Sequence, residues 1–354
     1  MDTGLLLEKT ILIVIIFAIT LGIAAYSTYF ERKIAAFLQD RIGPDRAGPW
    51  GILQPLADAG KMFFKEDFIP SHAEKFLFII APGIAMFTAC LTGAVIPWST
   101  PLQVGDRVVE MQITDINIGI LYILGITSVG VYGLMIGGWA SNNKYSLYGA
   151  IRASSQMISY ELAMGISIIT IVMMTGSLSL NDMVASQSVG LYGIDALTGL
   201  GWNVFYQPLA FIIFFTCALA ECNRSPFDLA ECESELIGGY HTEYGSMKLG
   251  FFLFGEYVNM FISAAVISAV FFGGYNFPGM DQLSPNWASI IGFCVFFAKI
   301  FFFIFVFMWI RWTLPRFRYD QLMHLGWKKL IPLAIINMLI TGFVYAFNEG
   351  WFNQ

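Results

Sequence analysis

The sequence predicts an all-α fold: a polytopic bundle of about eight transmembrane helices, with an amphipathic helix in the first cytoplasmic loop. Three observations carry this. Hydrophobic residues make up 57 % of the 354 positions and charged residues only 12 %, about half the charged share of a soluble domain. Mean hydropathy is +0.66. Apolar runs of spanning length recur along the whole chain, and the basic residues between them are unevenly shared.

Each run is justified in turn. Eight segments are long and apolar enough to cross a bilayer: 7–30, 76–97, 116–138, 157–175, 204–221, 249–272, 287–311 and 329–347. The first, from Leu5 to about Phe30, is too long for the apolar core of a cleavable signal and has no basic segment ahead of it. An even number of spans puts both termini on one side. The segments 31–75, 139–156, 222–248 and 311–329 hold 16 of the 19 Lys and Arg residues. Lys9 and Arg107 fall on the other side, and Lys299 falls within a span. The positive-inside rule makes the rich side cytoplasmic and both termini periplasmic. The basic loops are dense in paired charges, Pro and aromatics, as expected of a surface that docks soluble partners. The others, such as 176–203 and 273–286, read as plain connectors. The chain is one membrane domain, 1–354, with the four basic loops as its docking face.

Within the first loop, Ile52, Leu53, Leu56, Ala59 and Phe63 fall on one helical face. Gln54, Asp58, Lys61 and Lys65 fall on the other. Residues 52–65 therefore read as an amphipathic helix at the membrane interface, with Pro55 tolerated in its first turn.

The candidate chemistry lies in acids placed in apolar surroundings. Glu161 and Glu256 stand inside spans, and Glu221 ends the fifth. Asp228, Glu231, Glu233, Glu235 and Glu243 follow, with only Arg224 and Lys248 as local bases. An ionised carboxylate in a dry bundle must be paired or take up a proton. Crowded acids raise one another's pKa, so such a set suits proton relay. Lys299 is mid-span, beyond the reach of snorkelling; it either sheds its proton or pairs with an acid on another helix. Arginines at helix ends, among them Arg32, Arg41, Arg46, Arg152, Arg224, Arg311, Arg316 and Arg318, fit interface anchoring or the mouth of a site for a polar-headed apolar ligand.

The five cysteines form no CxxC pair, and three lie in apolar runs, so neither an iron–sulfur cluster nor zinc is expected. There is no glycine-rich nucleotide loop and no HExxH. His72, His241 and His324 lie outside the apolar runs. The expected chain therefore binds no nucleotide, nucleic acid or metal, carries no redox centre, and receives any electrons from a partner.

Four loops carry longer motifs. The first reads Glu31-Arg32-Lys33, then Gln39-Asp-Arg41-Ile-Gly43-Pro44 and Gln54-Pro55-Leu-Ala57-Asp58. The second reads Gly138-Trp139-Ala-Ser141-Asn142, then Arg152, Gln156 and Ser159-Tyr160-Glu161. The third runs Glu221-Cys-Asn223-Arg224-Ser-Pro226-Phe227-Asp228-Leu-Ala-Glu231-Cys-Glu233-Ser-Glu235. The fourth runs Arg311-Trp-Thr-Leu-Pro315-Arg316-Phe-Arg318-Tyr319-Asp320. Together they resemble the quinone-chamber membrane subunit of bacterial NADH–quinone oxidoreductase, respiratory complex I, over nearly the whole chain.

The resemblance implies a non-redox component of a proton-translocating enzyme in the bacterial inner membrane. It implies quinone as substrate, with FMN and iron–sulfur clusters held by partners. The implied partners are a peripheral iron–sulfur subunit, a 49-kDa-type subunit, small membrane subunits, antiporter-like subunits and lipid. Arg32 and Arg311, with Arg41, Lys61 and Phe227 from the same motifs, are the candidates for the quinone entrance. Asp58, Glu161, Glu221, Asp228, Glu231, Glu233, Glu235 and Glu256, with Lys299, are the candidates for the proton path. One departure is that 116–138 has no acid within it, Asp115 lying at its edge. Two other readings remain open: the anchoring component of a related membrane-bound hydrogenase or ferredoxin-linked complex, and a stand-alone cation or proton transporter.

Overall fold

A computed structural model describes residues 3–104, 107–189, 199–230 and 233–348. Its helices are α1 (Thr3–Leu38), α2 (Gln54–Phe64), α3 (Lys75–Thr92), α4 (Gly119–Ala140), α5 (Lys144–Thr175), α6 (Leu180–Ser186), α7 (Asn203–Tyr206), α8 (Pro208–Glu221), α9 (Glu233–Leu236), α10 (Ser246–Phe271), α11 (Pro285–Thr313), α12 (Tyr319–His324) and α13 (Ile331–Asn348). Strands β1 (Leu102–Val104) and β2 (Arg107–Val109) form a small antiparallel hairpin between α3 and α4. A π-helical turn, Leu325–Leu330, joins α12 to α13 without interrupting the span.

Seven helical stretches among the described residues are long and apolar enough to cross a membrane. The expected fifth span differs. Pro208 has no N–H and restricts Gln207, whose φ and ψ are −132° and 60°. The run therefore breaks into α7 and a 14-residue α8. At 1.5 Å per residue α8 is only about 21 Å long, short of a hydrocarbon core of about 30 Å. It ends in the interior, and this leaves Glu221 at depth.

Two of the expected loops are largely helix, and a third begins as one. Helix α1 continues to Leu38, so Glu31 and Arg32 lie on a helix. Helix α5 begins at Lys144, where the Asn143 side chain accepts a hydrogen bond from the Tyr145 amide at 3.0 Å. Its first half, with Lys144, Arg152 and Gln156, is too polar to read as a span but helical all the same. The connector before the last span shrinks to 314–318. Helix α2 confirms the amphipathic segment, two residues shorter at its start and one at its end than its hydrophobic pattern suggests.

Helix α3 packs on α4 and α10, α4 on α5, and α5 on α8 and α13. Helix α10 is the hub, with Val258, Phe261, Ala264, Ile267 and Val270 fully enclosed. The lipid-facing helices instead expose large apolar side chains, such as Phe302 and Phe343. Helix α12 and the π turn are held to α5 by Tyr160 Oη donating to Leu322 O (3.0 Å) and Trp327 Nε1 donating to Ser159 Oγ (2.9 Å).

Candidate functional site

Two polar sites flank α10, which serves both. The first is a cleft of about 330 Å³ between α1, α2 and α10, with Thr28, Arg32, Asp58, Ala59, Tyr257 and Trp312 in its wall. The amphipathic pattern of α2 turns Asp58 inward. Asp58 Oδ2 meets Arg32 Nη1 at 2.9 Å, and Oδ1 accepts from Gln54 Nε2 at 2.9 Å and from Lys61 Nζ at 3.5 Å. Lys61 stands at the exposed rim.

At the polar end of this cleft lies Glu31, only 6 % exposed. Its carboxylate receives Arg311 Nη1 at 2.6 Å, Arg224 Nη1 at 3.1 Å and the Tyr257 hydroxyl at 2.8 Å. Arg224 is 5 % exposed and stacks on the Tyr257 ring, 4.2 Å from its centroid. Burial pushes against its charged form. Tyr257, Glu31 and Glu256 outweigh burial and hold the guanidinium pKa well above the ordinary arginine value.

The second site is an interior cavity lined by Thr88, Thr127, Gly130, Glu221, Asn223 and Glu256. Glu256 is 8 % exposed, and Tyr240 Oη donates to its Oε1 at 2.9 Å. Glu161 accepts from Ser128 Oγ on α4 and lies within electrostatic reach of Glu221. The end of α8 is fixed by Gln156 Nε2 donating to Ala220 O at 2.9 Å. Successive residues on a helix diverge by about 100°. Glu256 therefore faces the cavity while Tyr257 faces the cleft.

The candidates thus divide. Arg32, Lys61, Arg311 and Asp58 gather at the cleft. Arg41 does not; its Nε donates to Gln39 Oε1 at 2.7 Å on the exposed surface. Phe227 does not either; it is buried between Tyr160 and Phe317. Glu161, Glu221 and Glu256 gather at the interior. Asp228 and Glu235 are ion-paired on the basic face, with Arg316 (3.0 Å) and Arg152 (2.5 Å). Glu231 and Cys232 lie outside the described residues, as does the side chain of Glu233. Lys299 meets no acid among the described residues; its partners are backbone carbonyls.

Glu31, Tyr240 and Tyr257 are site residues that the sequence does not single out. Glu31 has a signal, as an acid next to Arg32 at the end of an apolar run. The two tyrosines have none, because nothing local in the sequence marks the packing that brings Tyr240 to Glu256 or Tyr257 to Glu31. Tyr240 owes its place to Gly149, where an added Cβ would lie 2.6 Å from the Tyr240 amide nitrogen. Gly149→Ala is therefore expected to push this segment off α5 and break the bond from Tyr240 to Glu256. A hydrogen-exchange comparison of 238–244 checks it, and unchanged protection there refutes it.

The fold and its two sites define a class: a polytopic membrane protein with a cleft beside an amphipathic helix and a buried acid cavity. A family model described as NADH dehydrogenase matches residues 10–342. Three relatives carry the name of the H-type chain of NADH-quinone oxidoreductase. The chain is 64 % identical to the one numbered 1 in Cytophaga hutchinsonii, over 95 % of this chain and 96 % of the relative. It is 60 % identical to that of Flavobacterium psychrophilum, over 97 % and 98 %. It is 47 % identical to that of Leptospira biflexa, over 99 % of each. The chain belongs to the NADH dehydrogenase family, and the resemblance carried by its four loops holds.

Proposed function

We propose that this chain forms the quinone entrance and chamber of a proton-translocating NADH–quinone oxidoreductase in a bacterial inner membrane. The basic face, expected to be cytoplasmic, docks the peripheral arm, and both termini face the periplasm, α7 and α8 together making the eighth crossing. Membrane partners cover part of the exposed apolar helices. FMN and iron–sulfur clusters belong to partner subunits; this chain supplies binding and proton handling.

Arg224 carries this reading. It touches Glu31 at the polar end of the cleft and is electrostatically coupled to Glu256 in the acid cavity. Quinone enters the cleft tail-last, with its head toward Glu31, Arg224 and Arg311. Two electrons from a partner and two protons convert it to quinol. The charge that builds on the head before protonation competes with Glu31 for the two arginines. A weaker hold of Glu31 on Arg224 strengthens the pull of Arg224 on Glu256 and changes its proton affinity. Glu221 and Glu161 pass the change onward. The coupling is thus a two-state element that both sites bias.

Ala59 is a small residue in the cleft wall, so Ala59→Trp tests the route. It is expected to raise KM for a long-tailed quinone about tenfold, the effect of blocking a bound apolar group worth about 1.4 kcal/mol. Short-tailed quinone is expected to change little. Equal KM values for both quinones in the variant and the wild type defeat the assignment of the cleft.

A further inference from the structure

Lys299 stands at the middle of α11. Its ammonium donates to the backbone carbonyls of Phe272 and Gly274 at 2.7 Å each and of Asn276 at 2.9 Å. It also faces the Trp202 ring, 5.1 Å from the centroid. The three carbonyls belong to the turn that follows α10, where Gly273 and Gly274 adopt φ values of 70° and 54°. Non-helical backbone at membrane depth persists only where protein groups satisfy it. Here Gln187 Nε2 donates to Ala269 O at 2.9 Å and Asn203 Nδ2 to Val270 O at 2.8 Å. The Gly273 amide donates to Gln187 Oε1 at 2.9 Å. Among the described groups, what remains is a bowl of three converging oxygens, the donor set of a cation site. An ammonium has three donors and matches it.

The position matters as much as the chemistry. Fifteen residues, about 22 Å of helix, separate Glu256 from the end of α10 at Phe271. Past Glu221 the adjoining cavity is lined mainly by apolar side chains, among them Ile168, Phe214, Ile262 and Val266, with Thr127 and Ser263 as its other polar members. The ammonium therefore stands between the acids and the end of the bundle that carries the chain's N-terminus.

We propose that the bowl of Phe272, Gly274 and Asn276 carbonyls is a monovalent-cation site whose resident ion is the Lys299 ammonium, and that this fixed charge is a plug against proton return. The plug rests on the proton path proposed above. A proton or hydronium ion crossing from the N-terminal end must pass a positive charge held in low dielectric. The acids on the other side of that charge remain free to exchange protons among themselves.

The test uses the intact complex in proteoliposomes, with an imposed pH step, a permeant anion, and decay of the step as readout. Lys299→Arg is expected to hold the step like the wild type. Lys299→Gln and Lys299→Ala are expected to lose it roughly tenfold faster, a barrier change of about 1.4 kcal/mol. Lys299→Ala is expected to recover when potassium replaces N-methylglucamine, because the small ion enters the emptied bowl. Wild-type decay in the Gln and Ala variants overturns the plug. Equal decay of Lys299→Ala in the two buffers overturns the cation site. Failure of both neutral variants to assemble also overturns the proposal, since a plug is dispensable for folding and a staple is not. A wild-type complex that builds no NADH-driven gradient fails the earlier reading instead and leaves the imposed-step test readable.

Discussion

Glu31→Ala is expected to abolish quinone reduction while leaving electron transfer from NADH to a soluble acceptor in the peripheral arm intact. Glu31 is the counter-charge that lets Arg224 stay buried, the two being 6 % and 5 % exposed. Among the described residues, Arg224 Nε and Nη2 have no hydrogen-bond partner, so its compensation rests on Glu31, the Tyr257 ring and the more distant charge of Glu256. Removing one member of a buried pair costs about 3–5 kcal/mol, because the survivor keeps its desolvation penalty. The cost falls where α1, α10 and α11 meet, since Glu31 also holds Arg311. Glu31→Gln keeps an acceptor but loses the charge and is expected to lie between. The informative control is Glu31→Leu with Arg224→Met. An apolar replacement of a buried ion pair restores packing and leaves only Arg311 without its partner, a side chain 26 % exposed that can turn to solvent. The double variant is expected to assemble at wild-type levels and still fail to reduce quinone. Hydrogen exchange on α1 and α10, read beside quinone reductase rates, separates the two losses. A Glu31→Ala complex that reduces quinone normally removes the cluster from the mechanism.

The spans, the amphipathic helix and most of the acids are legible because hydrophobic period and the rarity of charge in apolar runs are local signals. Glu161 and Glu256 need only their neighbours in sequence to stand out. Pairing is not legible. Nothing within the chain order brings Arg224 to Glu31, 193 residues away, or Tyr240 to Glu256 across a turn. Helix ends mislead most where charge begins. The polar first half of α5 and the charged end of α1 read as loop, although helices that project beyond a bilayer keep their geometry while changing their solvent. Lys299 stands out because it is charged at mid-span, and charge alone suggests a carboxylate as one partner. Backbone carbonyls leave no mark in a sequence, so a bowl made of them cannot be foreseen. Arg41 and Phe227 come with the motifs of their loops, and motif membership does not fix the direction of a side chain.

Glu256→Gln and Glu221→Gln are expected to assemble and to cut proton translocation at least about tenfold, within the range of losing a positioned proton-transfer group. The swap is close to isosteric. At Glu256 the amide oxygen can still accept from Tyr240, so the 240 segment stays in place and packing is preserved. What disappears is the ability to take up and release a proton beside Arg224. If reduction and translocation are tightly coupled, quinone turnover falls in parallel, and a protonophore does not restore it. If coupling is loose, turnover persists and the proton yield per quinol drops. Tyr240→Phe separates position from titration. It removes the donor to Glu256 but no titrating carboxyl, and losing one hydrogen bond to a charged group costs about 1.5–3 kcal/mol. It is expected to slow turnover without abolishing it, because the carboxyl remains but loses the donor that fixes its position. Proton uptake per quinol in reconstituted vesicles decides the matter. Wild-type yield from Glu256→Gln and Glu221→Gln complexes means that protons travel elsewhere. In that event the acid cavity beside α10 is structural, and Arg224 is only the anchor of Glu31.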